Sequence, residues 1–447
     1  MVVEANNPDE RLWTWSALCT ALDLSEEAGP DVRRVHIDSR STEPGDLFIA
    51  LPGDPGPRFN PSYRSHNDGH DYLEDALAQG AVGALVHRDC WGGMRTLRIS
   101  DTYDGLWRLG EAAQQRMAGV RFAITGSSGK TTAKSFLATA LNGYTAPANF
   151  NNHIGVPLSL ANMPADTKWG VFEIGTNHPG EIEPLSKLVQ PEFALVLNVG
   201  VAHIENFAST DELYKEKVSI LNGLTNKDHL VWEESLGLSC GHAFGTSSQS
   251  SVRLINCEGD KAQIQVFGKP ITARVPGGGT HRALTLTAVL ALISLAGADL
   301  SAAAELPATL IPPGRGNEIL INGVTLVDDS YNANPASMLA AIEDLSKRTD
   351  QRCIAVLGEM LELGEASSSA HETVIAKARE LDGLICVGQG FADAAREAGL
   401  RYFDEADEGL AEHLQKLCQS GDRLLIKGSN RVFWQADFAA RLAELLT

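Results

Sequence analysis

A short glycine-rich loop between two apolar runs constrains this chain more than any other feature. Residues 122–125 predict a buried strand, and residues 133–141 predict a helix. The loop between them reads Gly126, Ser127, Ser128, Gly129, Lys130, Thr131 and Thr132. Glycines let backbone N–H groups approach phosphate oxygens, the helix N-terminus adds a positive dipole, and Lys130 and Thr131 suit phosphate and Mg²⁺. The loop therefore predicts an ATP site, and the alternative interpretation is a glycine turn with a solvated lysine.

The length and the charge narrow the function classes. The chain has 447 residues, which at roughly 150 residues per domain suggests about three domains. It carries 37 basic and 57 acidic residues, a formal net charge of −20, so its surface repels nucleic acid and anionic lipid on average. The seven cysteines are scattered without a C-x-x-C pair, which favours reduced thiols over disulfides or zinc. We therefore expect no nucleic-acid partner and no cysteine-held metal.

The apolar runs do not predict a membrane segment. The first ten residues show no basic segment followed by an apolar run, which predicts a cytoplasmic protein without a signal peptide. The longest uncharged apolar run, residues 283–298, is shorter than the roughly 20 residues that span a bilayer. We expect a buried helix there and no integral membrane contact.

The order of apolar runs predicts an α/β protein with three domains. Residues 1–104 hold short strands and a helix, a small N-terminal α/β domain. Residues 105–311 hold the glycine loop and predict a central P-loop ATPase domain with a mixed or parallel sheet. Pro312 to Gly314 form a break, and residues 312–447 then alternate strands and helices, ending in a helix predicted at 432–446. This alternation predicts a Rossmann-like, doubly wound sheet.

Two polar residues follow strand ends of the central domain, where a nucleotide-bound metal would lie. Glu173 ends an otherwise apolar strand, and a buried carboxylate there is costly without a cation. His203 follows the next predicted strand, and its alternative role is that of a structural hydrogen-bonding residue. The pattern predicts a metal at Glu173 and leaves both roles open for His203.

Further motifs, in this order, resemble the Mur ligase family, the ATP-dependent amide-forming enzymes of peptidoglycan synthesis. Besides the glycine loop they include Asp38-Ser39-Arg40, Asn149-Phe150-Asn151-Asn152, Glu173-Ile174-Gly175-Thr176-Asn177-His178, Ala202-His203-Ile204-Glu205, Asp328-Asp329-Ser330-Tyr331-Asn332-Ala333-Asn334-Pro335, Leu357-Gly358-Glu359-Met360-Leu361-Glu362-Leu363-Gly364 and Lys427-Gly428-Ser429. Two of these motifs, residues 328–335 and the run 360–364, are most similar to the family member that adds D-alanyl-D-alanine. The resemblance covers essentially the whole chain. It implies an N-terminal domain for a UDP-linked substrate, a central ATPase and a C-terminal domain for the acceptor and for closure over the nucleotide.

The resemblance also implies roles for particular residues. The ATP residues would be the whole glycine loop, Gly126 to Thr132, with Arg315, Asp329 and Asn332. Ser39, Arg40, Asn149 and Asn152 would face the UDP-linked substrate. Thr131, Glu173 and His203 would hold two Mg²⁺ ions, and the catalytic set would be Lys130, Glu173, His203 and Lys217. From composition alone, Asn332 also suits a turn before a helix that begins at Pro335.

The resemblance points to Lys217 as a lysine carbamylated by CO₂. An ammonium beside Mg²⁺ would be repelled, whereas a carbamate carries negative charge and oxygen ligands that hard cations prefer. From spacing alone, the run Lys215-Glu216-Lys217 is typical of an ordinary solvated helix face. Both interpretations of Lys217 are carried forward.

The implied reaction joins UDP-MurNAc-tripeptide to D-alanyl-D-alanine through an acyl phosphate, with release of ADP and phosphate. No Ser-His-Asp or Cys-His nucleophile pattern is apparent, and this chemistry requires none. Three alternatives remain: a sister ligase of the same superfamily with another amino-acid acceptor, a nucleotide-dependent switch without ligation, and a kinase. The absence of coiled-coil heptads favours a monomer.

Overall fold

A computed structural model describes residues 11–55, 65–89, 93–147, 150–200, 204–348 and 350–447. Within these ranges the strands form three sheets, which lie one after another along the chain. Each sheet with its helices is called a unit below: N-terminal, central and C-terminal. This arrangement is the three-part α/β architecture predicted from the order of apolar runs.

The N-terminal unit is built on a parallel sheet with the order β1-β2-β3-β4 in the described residues. Its elements are α1 (Trp15–Ala21), β1 (Arg34–His36), β2 (Asp46–Ile49), α2 (Leu73–Ala78), β3 (Gly83–Val86), β4 (Arg95–Arg98) and α3 (Thr102–Arg116). Helix α3 begins where the Asp101 carboxylate accepts hydrogen bonds from two backbone N–H groups. The predicted limit between residues 104 and 105 falls inside α3, and α3 contacts the central unit. The domain limits stay predictions.

The central unit carries the glycine loop. Its strands are β5 (Val120–Thr125), β6 (Tyr144–Thr145), β7 (Trp169–Glu173), β8 (Phe193–Val196), β9 (Leu230–Glu233), β10 (His242–Gly245), β11 (Val252–Glu258), β12 (Lys261–Val266) and β13 (Lys269–Arg274). Its helices are α4 (Lys130–Leu141), α5 (Gly155–Ala161), α6 (Ile182–Val189), α7 (Thr210–Val218), α8 (Thr280–Leu295) and α9 (Ser301–Ala304). In the described chain the sheet order is β13-β12-β11-β10-β9-β8-β5-β7-β6, parallel from β6 to β11 and antiparallel at β12 and β13.

Alternating side chains of β5 divide the core of the central unit into two layers. Phe122 and Ile124 pack on one face of the sheet, and Ala123 packs on the other with Phe172. Strands buried on both faces are continuous apolar runs, which is why the sequence indicated β5, β7 and β8. Helix α8 lies in the first layer and is buried over most of its length, as predicted for the run that begins at Ala283.

The C-terminal unit has the sheet order β14-β15-β19-β16-β17-β18 in the described residues. Its strands are β14 (Asn317–Ile321), β15 (Val324–Asp329), β16 (Cys353–Gly358), β17 (Gly383–Val387), β18 (Arg401–Phe403) and β19 (Arg423–Lys427). Its helices are α10 (Pro335–Ser346), α11 (Ser367–Ala378), α12 (Ala392–Glu397), α13 (Glu408–Leu417) and α14 (Phe438–Leu445). Neighbouring strands are parallel except at the β14–β15 hairpin.

One predicted helix of the C-terminal unit begins later than expected. The apolar pattern predicted a helix over 432–446, but α14 begins at Phe438. Asp437 has a φ of 50°, in the left-handed region, so no helix can run through it. The six residues before it form turns instead, with a hydrogen bond from the Gln435 N–H to the Asn430 carbonyl.

No helix in the described ranges is long and apolar enough to cross a membrane.

Candidate nucleotide site

The glycine loop joins the carboxyl end of β5 to the N-terminus of α4. Gly129 has a φ of +80°, a left-handed conformation in which a residue with a side chain would be strained. Gly126 has a φ of +152°, and a Cβ there would lie 2.9 Å from the Cβ of Leu197. Backbone conformation at one glycine and close approach at the other therefore explain the G-x-x-G spacing.

Asn198 fixes the loop from the neighbouring strand. Its side-chain oxygen accepts hydrogen bonds from the N–H groups of Ser127 at 3.0 Å and Ser128 at 2.9 Å. Asn198 follows β8, which is adjacent to β5, so both lie at the carboxyl edge of the sheet. Sequence analysis did not single out Asn198, although its place just after a predicted buried strand was a usable signal.

Lys130 opens helix α4 and folds back over the loop. Its ammonium donates a 2.7 Å hydrogen bond to the Gly126 carbonyl. Burial lowers the pKa of Lys130, the Glu173 carboxylate opposes this effect, and the Arg315 guanidinium of the C-terminal unit adds to it. Lys130 thus lies within electrostatic reach of both units, where a phosphate would relieve its desolvation. Thr132 lies in the same first turn of α4.

Thr131 and Glu173 form a pair of oxygen donors beside the loop. The Thr131 hydroxyl donates to Glu173 Oε2 at 2.9 Å, and the Asn151 amide donates to Glu173 Oε1 at 2.8 Å. Glu173 is only 4% exposed. A hydroxyl and a buried carboxylate are ligands that Mg²⁺ prefers, so these residues fit the predicted ion. In the described ranges, no group of three His, Cys, Asp or Glu side chains suited to a metal occurs, and His203 lies outside them.

Lys217 and Glu216 lie on helix α7, and Lys217 is within electrostatic reach of Lys130 and Glu173. The Glu216 carboxylate accepts hydrogen bonds from the N–H groups of Gly180, Glu181 and Ile182, at 2.7–3.0 Å. Lys217 is 1% exposed. Burial and the nearby Lys130 ammonium hold the pKa of Lys217 well below its usual range, against the attraction of acidic neighbours. The solvated helix face that spacing favoured is therefore wrong for these two residues, and a buried amine close to the glycine loop replaces it.

The loop after β7 presents a histidine that sequence analysis did not select. The carboxylate of Glu181 accepts hydrogen bonds from the N–H groups of Asn177 and His178 and from the Thr176 hydroxyl. Its other oxygen lies 3.7 Å from His178 Nδ1, which is buried and has no hydrogen-bond partner within the described part of the chain. The His178 imidazole is therefore fixed next to Glu181 at the same sheet edge as Glu173.

Three of the predicted nucleotide residues lie in the C-terminal unit, after the break at residues 312–314. The Arg315 guanidinium stacks on the Tyr331 ring at 4.3 Å. Asp329 forms a 2.7 Å ion pair with the buried Lys427, and the Lys427 ammonium also donates to the Asn332 carbonyl at 3.2 Å. Asn334, rather than Asn332, caps the helix that begins at Pro335. The Asn332 side-chain oxygen accepts a hydrogen bond from the adjacent Ala333 N–H, and the turn role of Asn332 stays a prediction. Its role toward the nucleotide stays a prediction.

A cleft of about 360 Å³ separates the central and C-terminal units. Its walls include Arg282 at the start of α8 and Asp329 at the end of β15. His281 and Asp344 form a 2.8 Å ion pair across it, and Arg282 donates to the Arg315 carbonyl at 2.9 Å. Polar contacts thus join the two units beside the predicted nucleotide residues.

The residues predicted to face a UDP-linked substrate are less closely grouped. Ser39 is buried, and Arg40 forms an exposed two-point ion pair with Asp38. Asn152 accepts hydrogen bonds from the N–H groups of Ile154 and Gly155 and so stabilises the start of α5. Asn149 lies outside the described residues. In those ranges no hydrogen bond joins Ser39 or Arg40 to the glycine loop, and their substrate roles stay predictions.

A P-loop at the carboxyl edge of one sheet, facing the corresponding edge of a mostly parallel second sheet, defines a nucleotide-dependent enzyme of the P-loop class. Two family models match the chain: the Mur ligase middle domain over residues 124–268, and the Mur ligase, glutamate ligase domain over residues 314–430. UDP-N-acetylmuramoyl-tripeptide–D-alanyl-D-alanine ligase from Escherichia coli is 33% identical over 421 residues, covering 88% of this chain and 90% of that protein. The chain belongs to the Mur ligase family.

Two solved structures support this assignment over the whole molecule. A crystal structure of MurF from Acinetobacter baumannii has a TM-score of 0.81 and 29% identity, covering 98% of this chain and all of that one. MurF ligase from Thermotoga maritima, in complex with ADP, has a TM-score of 0.78 and 28% identity, covering 93% of this chain and 98% of that one. The family resemblance stated from motifs is therefore confirmed.

Proposed function

We propose that this chain is the ATP-dependent ligase that joins D-alanyl-D-alanine to UDP-MurNAc-tripeptide, forming UDP-MurNAc-pentapeptide, ADP and phosphate. The similarity to the E. coli ligase over about nine-tenths of both chains supports the substrates. One observation supports the chemistry. The glycine loop has the form of a phosphate site, the Lys130 ammonium folds back over it, and the Thr131 hydroxyl bonds to Glu173 beside it.

In the first half-reaction, the terminal carboxylate of the UDP-linked peptide attacks the γ-phosphorus of ATP. The bond from γ-phosphorus to the bridging oxygen breaks, and ADP leaves with the electron pair. Lys130 stabilises the negative charge that gathers on the phosphate oxygens. A Mg²⁺ ion held by Thr131 and Glu173 would supply further neutralising charge.

In the second half-reaction, the amine of the acceptor attacks the acyl carbon. The C–N bond forms, the bond from carbon to the phosphate oxygen breaks, and phosphate leaves while the amine gives up a proton. An acyl phosphate hydrolyses readily, so the two units must exclude water before the amine arrives. The contacts of His281 and Arg282 across the cleft provide the chain's own means of holding them together.

Lys217 is the proposed site of carbamylation. Attack on CO₂ requires a neutral amine, and burial favours that form of Lys217. The resulting carbamate would contribute oxygen ligands for a second Mg²⁺, with His203. A cytoplasmic location and a monomeric state stay predictions of the sequence.

The decisive experiment combines the protein with ATP, Mg²⁺ and UDP-MurNAc-tripeptide, with and without D-alanyl-D-alanine. We expect phosphate release that depends on the dipeptide and matches a product mass increased by one dipeptide. Ligation of other amino acids alone would favour a sister ligase, and acceptor-independent ATP hydrolysis without an amide product would favour a nucleotide switch. A phosphorylated product that survives hydroxylamine would indicate a kinase.

Lys130→Ala tests the assignment of the loop itself. We expect the variant to form no ADP, because the loop would lose the Lys130 ammonium that neutralises the charge on the phosphate oxygens. Lys227→Ala, which removes an exposed lysine of the same unit, serves as the matched control. Full ADP formation by Lys130→Ala would overturn the assignment.

A further inference from the structure

The loop between β7 and α6, residues 174–181, holds a histidine that the two half-reactions above do not use. His178 is a quarter exposed, yet its Nδ1 is buried and makes no hydrogen bond in the part of the chain that the structure describes. The carboxylate of Glu181 lies 3.7 Å from this nitrogen. Buried polar atoms are nearly always hydrogen-bonded in folded proteins. This nitrogen and its carboxylate neighbour therefore form a pair that folding alone does not account for.

Hydrogen bonds hold the loop in one conformation around this pair. One oxygen of Glu181 accepts hydrogen bonds from the N–H groups of Asn177 at 2.7 Å and His178 at 3.1 Å. The N–H groups of Gly180 and Glu181 donate in turn to the Glu216 carboxylate, at 2.7 and 3.0 Å. The second Glu181 oxygen accepts none of these bonds and is the one that lies near the imidazole. The ring and the carboxylate are therefore positioned before any substrate binds.

The loop after β7 borders the space in which the acyl phosphate would form. Strand β7 is the neighbour of β5, so the residues that follow Glu173 leave the sheet at the same edge as the glycine loop. The Glu181 charge acts on Lys217, whose amine is itself within electrostatic reach of Lys130 and Glu173. His178 therefore lies on the side of the site where the peptide carboxylate and the acceptor amine meet under the proposed function.

The surroundings of His178 favour one tautomer of its ring. A hydrogen on Nδ1 is attracted to the Glu181 carboxylate, whereas a lone pair there would be repelled, so Nε2 on the opposite edge keeps the lone pair. A carboxylate that fixes the tautomer in this way also stabilises the imidazolium formed when Nε2 takes a proton. The other titratable groups around Glu181 are Glu216, His153 and Lys217. Burial lowers the pKa of His153 and of Lys217, which favours their neutral forms, so they do little to oppose a positive charge on His178.

We propose that His178, oriented by Glu181, is the general base that takes a proton from the acceptor amine in the second half-reaction. This assignment rests on the proposed function and deepens it. As the amine nitrogen bonds to the acyl carbon it becomes positively charged, and one of its protons passes to Nε2 of His178. The electron pair of the bond between the acyl carbon and the phosphate oxygen leaves with phosphate. The imidazolium, held next to the Glu181 carboxylate, then releases its proton to water.

The test measures the two half-reactions separately in His178→Gln. Without dipeptide, acyl phosphate trapped with hydroxylamine should form as in the wild type. With saturating D-alanyl-D-alanine, kcat for ligation should fall by roughly 100- to 10,000-fold, the range for a general base, with little change in the KM for the dipeptide. The unused acyl phosphate should hydrolyse, so that less than one amide forms per phosphate released. His242→Gln is the control, because His242 is also half-buried and lies at the amino end of β10, on the edge of the sheet away from the glycine loop.

Chemical rescue distinguishes proton transfer from a structural role. Added imidazole should restore part of the ligation in His178→Gly, and substituted imidazoles should do so in the order of their basicity, because proton transfer follows Brønsted behaviour. A lowered urea midpoint without rescue would assign His178 a structural role, and equal loss of acyl phosphate would place it in the first half-reaction. A raised KM for the dipeptide with an unchanged kcat would make it an acceptor-binding residue. Each of these results overturns the proposal.

Failure of this assignment can be told apart from failure of the proposed function. A wild-type chain that ligates D-alanyl-D-alanine beside a fully active His178→Gln would contradict only the role of His178. A wild-type chain that traps no acyl phosphate and ligates no dipeptide would contradict the proposed function, and the assignment of His178 would fail with it.

Discussion

At the scale of single residues, the site contains a lysine buried where water cannot solvate its charge. Lys217 is 1% exposed, and burial together with the Lys130 ammonium holds its pKa well below the usual range. Lys217→Met should therefore stabilise the fold by about 1–3 kcal/mol in CO₂-free buffer, because an apolar side chain of similar size replaces a buried polar group. Urea unfolding measures this gain, and ligation should be lost in the same variant.

The stability that Lys217→Met adds over the wild type should decrease as pH rises. A lysine whose folded-state pKa is lowered binds fewer protons when folded than when unfolded, so the wild type gains stability as pH rises. The advantage of Lys217→Met should shrink by about 1.4 kcal/mol per pH unit between the folded-state pKa and about 10.4, the ordinary value. Lys215→Met, on the same helix, is the control for an added methionine. An advantage that does not change over this range would contradict a neutral Lys217.

The residues that could be predicted from sequence are those whose chemistry is local. Lys130 and Thr131 were identifiable because the glycine loop, the strand and the helix are contiguous. Asn198 and Glu216 bind backbone groups distant in the chain, so no contiguous motif marks them, and the signal for Asn198 was its place just after a predicted buried strand. The pattern around Lys217 even favoured the wrong surroundings, and only the family resemblance singled it out.

At the scale of elements, helix α6 depends on a carboxylate supplied by helix α7. The Glu216 carboxylate accepts hydrogen bonds from three backbone N–H groups at the start of α6. These bonds satisfy donors that a helix N-terminus leaves without a partner inside the helix. Glu216→Gln should lower the free energy of unfolding by about 1–3 kcal/mol, because charged hydrogen bonds become neutral and one amide N–H would face another donor. Glu183→Gln, on the exposed face of α6, should leave the urea midpoint nearly unchanged. Equal midpoints for both variants would contradict this role.

Elements with continuous apolar runs could be predicted, and strands whose residues alternate or are mostly exposed were missed. Strands β16, β17 and β19 are buried on both faces, and their runs were apparent in the sequence. Strand β12 alternates buried and exposed residues between its antiparallel neighbours β11 and β13, and β14 is mostly exposed, so neither formed a distinct apolar run. The start predicted for the last helix, at residue 432, was wrong because Asp437 has a left-handed backbone conformation, which hydrophobic periodicity does not reveal.

At the scale of the whole molecule, polar contacts join the central and C-terminal units at the cleft. His281 and Asp344 come from α8 and α10, and their ion pair is 2.8 Å long. Although burial raises the pKa of Asp344, the hydrogen bond and charge of His281 lower it overall, so the carboxylate stays ionised. Losing that charge should favour a more open arrangement of the two units. ATP binding must then supply the free energy of closure.

Asp344→Asn should therefore raise the KM for ATP by about 2- to 10-fold, the range for one hydrogen bond across an interface. Small-angle scattering without nucleotide should show a larger radius of gyration than in the wild type, and saturating ATP should reduce the difference. Asp393→Asn breaks an exposed ion pair within α12 and should change neither quantity. An unchanged KM and an unchanged radius would mean that the contact accompanies closure without stabilising it, and that other contacts, such as that of Arg282 with the Arg315 carbonyl, hold the units together.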